Sequence, residues 1–101
     1  MSRIYHITTR REWEEALSKG AFVAGTLATE GFIHASEAHQ VAGVLERYFT
    51  GQSGLVKLVI DPALLKSQLI YEWSPASRDT FPHIYGPINL EAVIGAENLI
   101  H

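Results

Sequence analysis

Cysteine is absent from this chain, and its absence excludes disulfides, thiolate catalysis and cysteine-ligated zinc while fitting a reducing cytoplasm. Positive charge is scarce as well. Eight Lys and Arg face eleven Asp and Glu, for a net charge of −3 and a pI near 5.9. That balance gives no general electrostatic case for nucleic acid or an anionic membrane surface. No apolar run approaches the roughly 20 residues of a membrane span. Arg3 and His6 interrupt the only apolar patch near the N-terminus, so no signal peptide is expected. Repeats, linkers and low-complexity tracts are also missing. What is present is the composition of an ordinary globular protein, 47% hydrophobic and 19% charged over 101 residues. That is enough for one core and too little for two, so residues 1–101 are expected to form a single domain.

The order of expected elements sets the fold class. Arg3 to Thr8, rich in β-branched and aromatic residues, reads as a first strand. Thr9-Arg10-Arg11-Glu12 has the spacing of a capping box and predicts a helix whose buried stripe is Trp13, Ala16 and Leu17, stopped by Gly20. Residues 21–29 are small and contain Gly25, and predict a short strand or an irregular connection. Glu30 to Ser36 reads as a central strand. Ser36 or Glu37 can then cap a second helix with Val41, Val44, Leu45, Tyr48 and Phe49 along one face, ended by Gly51. Leu55 to Ile60, apolar apart from Lys57, predicts a central strand. Asp61-Pro62 opens a short helical turn. Later strands are expected at Leu69–Trp73, His83–Tyr85, Leu90–Ile94 and Asn98–Ile100, with a polar loop over residues 74–80. Strands before and after two main helices, without regular strand-helix alternation, point to an α+β domain with a mixed or antiparallel sheet.

Three histidines stand among apolar neighbours, in Ile4-Tyr5-His6-Ile7-Thr8, Phe32-Ile33-His34-Ala35-Ser36 and Phe81-Pro82-His83-Ile84-Tyr85. Strand alternation puts Phe32, His34 and Ser36 on one face, with Ile33 and Ala35 on the other. An imidazole near its ordinary pKa can transfer a proton, donate to a phosphate or ribose oxygen, or bind a metal. Ser36 at a helix start could hold an anion or simply cap the helix. Arg78 could clamp a phosphate or stand solvated in its loop. Tyr5, Tyr85 and Trp73 could stack on a flat ring or belong to the core. A histidine in an apolar strand can also be a core residue bonded to a carbonyl.

These segments, with Trp13, Gly20, Gln40, Asp61, Glu72-Trp73 and Gly86-Pro87, resemble the domain-of-unknown-function 952 family of small bacterial proteins. The resemblance covers nearly the whole chain. It implies an ADP-ribosyltransferase-like fold, with a small split β-sheet core, two main helices and a cleft that holds NAD in better-known relatives. Tyr5-His6-Ile7-Thr8 is similar to the Tyr-His-Gly-Thr motif of rifampicin ADP-ribosyltransferases and RNA 2′-phosphotransferases, in which the histidine holds a ribose hydroxyl. Ile7 stands in the place of the motif's glycine. Ile33-His34-Ala35-Ser36 is similar to the Val-His-Leu-Ser strand of the phosphotransferases. Glu72 is the nearest acid by sequence to the ribose-orienting carboxylate of many transferases.

The expected site therefore has His34 and His83 at its centre in a catalytic role. Ser36, Tyr85, Arg78, Thr8 and His6 surround them as substrate-binding residues. The expected ligand is NAD or another ribose-phosphate nucleotide, NAD being a substrate for ADP-ribosyl transfer, and no metal is expected. A cytoplasmic monomer or weak homo-oligomer, with neither nucleic acid nor membrane as partner, completes the expectation. Three alternatives stand beside it: a nucleotide-binding module without catalysis, a metal site of His6, His34, His83 and Glu72, and an interaction protein with structural histidines.

Overall fold

The computed structural model describes residues 2–99, which form a compact α+β fold of several antiparallel sheets and few helices. The first sheet is built from β1 (Ile4–Thr9), β4 (Leu55–Ile60) and β8 (Val93–Asn98) in the order β1-β4-β8. Both pairings are antiparallel, with Ile4 opposite Ile60 and His6 opposite Leu58. The central place of β4 follows from its composition, since Leu55, Val56, Leu58 and Ile60 are all buried. The second sheet has the order β3-β6-β5 and comprises β3 (Ile33–His34), β5 (Gln68–Ser74) and β6 (Asp79–Tyr85). A small third pairing joins β2 (Ala21–Phe22) to β7 (Ile88–Asn89). Ile4, Leu58 and Ile60 from the first sheet and Ile33 and Ile84 from the second meet Phe22 and Ile88 in one core.

Among the described residues, one backbone bridge joins the edges of the two large sheets. Tyr5 and Ser36 exchange a reciprocal pair of backbone hydrogen bonds, 2.8 and 2.7 Å long. Beyond that bridge the sheets part, and a cleft opens between them.

Three α-helices complete the fold, α1 (Arg10–Lys19), α2 (Gly25–Glu30) and α3 (Val41–Tyr48). Helix α1 starts in the expected capping box of Thr9 and Glu12 and ends in the left-handed Gly20. Its stripe is narrower than expected. Ala16 is buried and Trp13 packs against the core, but Leu17 is 54% exposed. A ten-residue helix with six charged side chains offers one thin apolar line, and Leu17 falls beside it. Helix α2 was not expected, because Gly25, Thr26 and Thr29 are weak helix formers. Leu27 packs against the core and supplies the tertiary contact that overrides this preference. Gly31, left-handed with φ 86, is its stop.

The expected strand over residues 30–36 shrinks to Ile33–His34, since Glu30 and Gly31 serve the end of α2. Its alternation survives nonetheless. Ile33 and Ala35 are in the core, while Phe32, His34 and Ser36 line the cleft. Helix α3 follows a 3-10 turn at Ala38–Gln40 whose cap is Glu37, so Ser36 is not the cap. No residue of α3 is buried, although its apolar stripe is regular. Val44, Tyr48 and the following Phe49 face the cleft and form one wall of it.

In the second half, β5 and β6 are longer than expected and form a hairpin whose turn holds Arg78 at φ 53. The strand expected at Leu90–Ile94 is a 3-10 turn (Leu90–Ala92) running into β8. Asn98 closes β8, and Ile100 lies outside the described residues. No helix is long and apolar enough to cross a membrane among the described residues.

Candidate functional site

The cleft between the two sheets has a volume of about 970 Å3. Its centre is a cross-strand pair. His34 of β3 lies directly opposite His83 of β6, and the two ring centroids are 5.3 Å apart. Phe32 stacks on the His83 ring at 4.0 Å between centroids and 20° between planes. Strand alternation explains the arrangement, because the neighbours Ile33 and Ile84 take the core face and leave the histidines the cleft face.

Each imidazole is pinned by one nitrogen. His83, only 8% exposed, has Nδ1 2.8 Å from Glu72 Oε1. The same carboxylate oxygen accepts the Tyr85 hydroxyl in a short hydrogen bond. The Tyr85 hydroxyl and then the His83 ring hold the Glu72 carboxyl below its ordinary range, while the carboxylate raises Tyr85. An ionised carboxylate only accepts, so His83 donates from Nδ1 and keeps Nε2 for the cleft. His34 Nε2 lies 3.3 Å from both carboxylate oxygens of Glu30, the last residue of α2. His6, on the inward face of β1, places Nδ1 2.5 Å from the His34 backbone oxygen. A carbonyl cannot donate, so this nitrogen carries the proton. Burial lowers the His6 pKa, opposed by that backbone bond, so the ring is neutral and Nε2 holds a lone pair.

Two hydroxyls complete the polar lining. Thr8 is buried and donates to Glu12 Oε1 at 2.9 Å. Ser36 is 5% exposed. Its backbone is used in the bridge to Tyr5, and its side chain lines the cleft. Among the described residues the Ser36 hydroxyl has no protein hydrogen-bond partner, and the exposure it retains is to the cleft.

The structure thus brings His6, Thr8, His34, Ser36 and His83 to one cleft. Tyr85 stands behind His83, on Glu72, and not in the lining. Arg78 sits in the exposed hairpin turn, beside the lining residue Ser77 and not itself in the lining. The hairpin turn fixes it there by its left-handed backbone. Among the described residues no three His, Asp or Glu are grouped to hold a metal ion. Their nitrogens are instead committed separately to Glu72, Glu30 and a backbone carbonyl.

Sequence reasoning left two carboxylates and a glutamine out of the site, and considered Glu72 only as a ribose-orienting acid or a metal ligand. Glu72 orients His83, Glu30 holds His34, and Glu12 lines the cleft beside Thr8. The i, i+4 spacing of Glu30 and His34 was readable, as was the i, i+4 spacing of Thr8 and Glu12, which lies one residue outside the capping box. Buried Gln40 ties the start of α3 to β6 by donating to Asp79 Oδ2 and the Thr80 carbonyl, both at 2.8 Å. These bonds and the Thr80 amide hold the Asp79 carboxyl low. Nothing in local spacing signals that long-range tie.

The same pattern of residues is found elsewhere. Residues 7–96 match the family model for a protein of unknown function, DUF952. The chain belongs to this family. Among solved structures, it is similar to protein CC0527 from Caulobacter crescentus. A crystal structure of that protein superposes with a TM-score of 0.89 at 32% identity, covering 98% of this chain and 87% of the other. A double-mutant crystal form gives the same TM-score at 31% identity and equal coverage. The solution structure gives 0.78 at 33% identity over 98% and 85% of the two chains. No curated protein matches the chain. Within the DUF952 family, then, the cleft histidines of this chain sit in a fold shared across its length by a solved relative.

Proposed function

We propose that this DUF952 chain binds a ribose-bearing nucleotide, NAD foremost, in the cleft between its sheets, and that the reaction class of the site is ADP-ribosyl transfer. The supporting observation is the facing pair His34 and His83 at the parting of the two sheets, each held by its own carboxylate, beside the unpartnered Ser36 hydroxyl. The parting of the sheets is read as the split core of an ADP-ribosyltransferase-like fold. Ser36, Thr8 and His6 supply hydrogen bonds to ribose hydroxyls, and Phe32 and the α3 wall cover a flat ring. In the transfer step the C1′–N bond breaks, nicotinamide leaves with the bonding pair, and an acceptor oxygen or nitrogen bonds to C1′. The acceptor's proton passes to His83 Nε2, which Glu72 orients and whose positive charge it balances. A carboxylate in the lining stabilises the ribosyl cation.

A second reading, binding without catalysis, is favoured by Ile7. This side chain is buried and lines the cleft, occupying the place where the similar transferase motif has glycine. Calorimetric titration with NAD and ADP-ribose, run in parallel with an assay for free nicotinamide, tests both. Affinity in the micromolar to millimolar range is expected, lost by about tenfold in His83→Ala and His34→Ala with the fold intact. Nicotinamide release that vanishes in His83→Ala supports transfer, and binding without release supports the second reading. Failure of both nucleotides to bind, with large losses of thermal stability in both variants, would sink the proposal.

A further inference from the structure

The charge of the cleft is one-sided. Glu12 and Glu30 line it and Glu72 stands directly behind His83, while no Lys or Arg is in the lining among the described residues. Of the cations next to lining residues in the chain, Arg10 donates to Asn98 and Arg11 pairs with Glu15, while Arg47 and Arg78 stand beside Tyr48 and Ser77 outside the lining. A phosphate placed there would meet carboxylates and find no cation to neutralise it. A ring with a formal positive charge gains on both counts. It is attracted by the carboxylates, and the aromatic side chains of Phe81, Tyr48 and Trp73 in the lining can offer cation–π contact.

Acidic side chains alone do not make a ligand site, but this cleft has an independent sign of one. Ser36 as a residue is only 5% exposed, and its hydroxyl has no protein partner among the described residues. It opens on the same cleft. Its hydrogen-bonding capacity is left for a group in the cleft, a water or a ligand hydroxyl that replaces it. Glu12 also keeps a carboxylate oxygen uncommitted, because Thr8, Thr9 and the Thr9 amide all converge on Oε1.

From this we infer that the cleft recognises the cationic pyridinium riboside end of its ligand and leaves the phosphates outside. The inference rests on the nucleotide reading above and narrows it to the oxidised, positively charged ring. It also sets this site apart from pockets that grip a nucleotide by its phosphates with arginine or lysine.

The test uses pairs of probes that differ in ring charge or in phosphate alone. Full-length protein at pH 8 is titrated with NAD+ against NADH, N-methylnicotinamide against nicotinamide, and nicotinamide riboside against its 5′-mononucleotide. The oxidised or methylated member of each of the first two pairs should bind about tenfold more tightly or better. The riboside should bind at least as tightly as the mononucleotide. Glu12→Gln and Glu30→Gln should each reduce the preference for the cation by about threefold with circular dichroism unchanged, the glutamine at 12 keeping an acceptor for the capping box of α1. NAD+ and NADH binding equally would overturn the inference and leave the nucleotide reading standing. So would a mononucleotide that binds more tightly than the riboside. A preference for N-methylnicotinamide with no binding of NAD+ would support charge selection and remove the nucleotide reading. Binding of none of the six probes would overturn both.

Discussion

The two three-stranded sheets are similar in size and opposite in use. In the first, β4 buries Leu55, Val56, Leu58 and Ile60, pairs along its whole length with β1 and from Val56 to Ile60 with β8, and holds the apolar core together. In the second, β6 gives one face to that core through Ile84 and the other to the cleft through Phe81, His83 and, behind it, Tyr85. Its partner β3 is only two residues long, and its outer strand β5 exposes Tyr71 and Trp73. One sheet spends its side chains on stability, and the other divides them between stability and chemistry. This division follows from sequence pattern. A run of branched apolar residues suits burial, whereas Phe-Pro-His-Ile-Tyr alternates a core face with a polar one.

The largest expected effect comes from the first sheet. Leu58→Ala removes a fully buried side chain at the centre of β4 and should cost about 3 kcal/mol of unfolding free energy, read from a denaturant midpoint. A loss below about 1 kcal/mol would mean that this sheet does not carry the core. Gly86→Ala, just past β6, should follow at about 1–3 kcal/mol. Gly86 has φ 155, and an added Cβ would run into the Ser67 side chain, whose Cβ lies 2.9 Å away. Thermal melts of that variant would show whether the second sheet tolerates rearrangement at its end.

On the cleft wall the balance should reverse. Tyr48→Ser alters a side chain 56% exposed on α3 and should change stability by less than about 0.5 kcal/mol. The same change should weaken NAD+ binding by about threefold, as measured by calorimetry. A destabilisation as large as that of Leu58→Ala would erase the contrast between the two regions.

The smallest effects lie in pH, in two windows that open at different values. Burial lowers the His6 pKa from its ordinary 6.5, so as pH falls below that value the unfolded chain takes up the proton first. Stability is lost from there down to the folded-state pKa. Glu72 behaves oppositely in origin. Its folded pKa is below the ordinary 4.5, through the Tyr85 and His83 hydrogen bonds, so its contribution is present above that value and lost as pH falls through the folded pKa. His6→Asn, which keeps a donor for the His34 carbonyl, should flatten the upper window, and Glu72→Gln the lower one. A His6→Asn profile that matches wild type below pH 6.5, or a Glu72→Gln profile that matches it below pH 4.5, would contradict this assignment.

Local signals in the sequence carried the elements with strong chemistry of their own. The Thr9–Glu12 capping box, the Gly20 stop, the apolar β4 and the Asp61-Pro62 turn are all where their residues place them. Helix α2 was illegible because its stability comes from Leu27 in the core and not from Gly25, Thr26 and Thr29. The regular stripe of α3 was legible as a helix, but periodicity cannot distinguish a face turned to a core from one turned to a cleft. At the site, alternation in two strands sufficed to set His34 and His83 on a common face. Glu72 reaches His83 across a hairpin, a diagonal set by the β5–β6 register, and that register depends on the turn at residues 75–78. Arg78 was drawn into the expected site by its charge and excluded from the lining by its place in that turn.

The bridge between Tyr5 and Ser36 has a kinetic meaning. It is an isolated bridge of two amide hydrogen bonds, flanked by the bond from His6 to the His34 carbonyl. A rung without neighbouring rungs opens more easily than one inside a ladder, because its release breaks no adjacent pair. Hydrogen–deuterium exchange at the Tyr5 and Ser36 amides would therefore time the breathing of the cleft, while the amides of β4 would time the unfolding of the whole domain. A ligand seated across the parting of the sheets would slow the first clock before it touched the second.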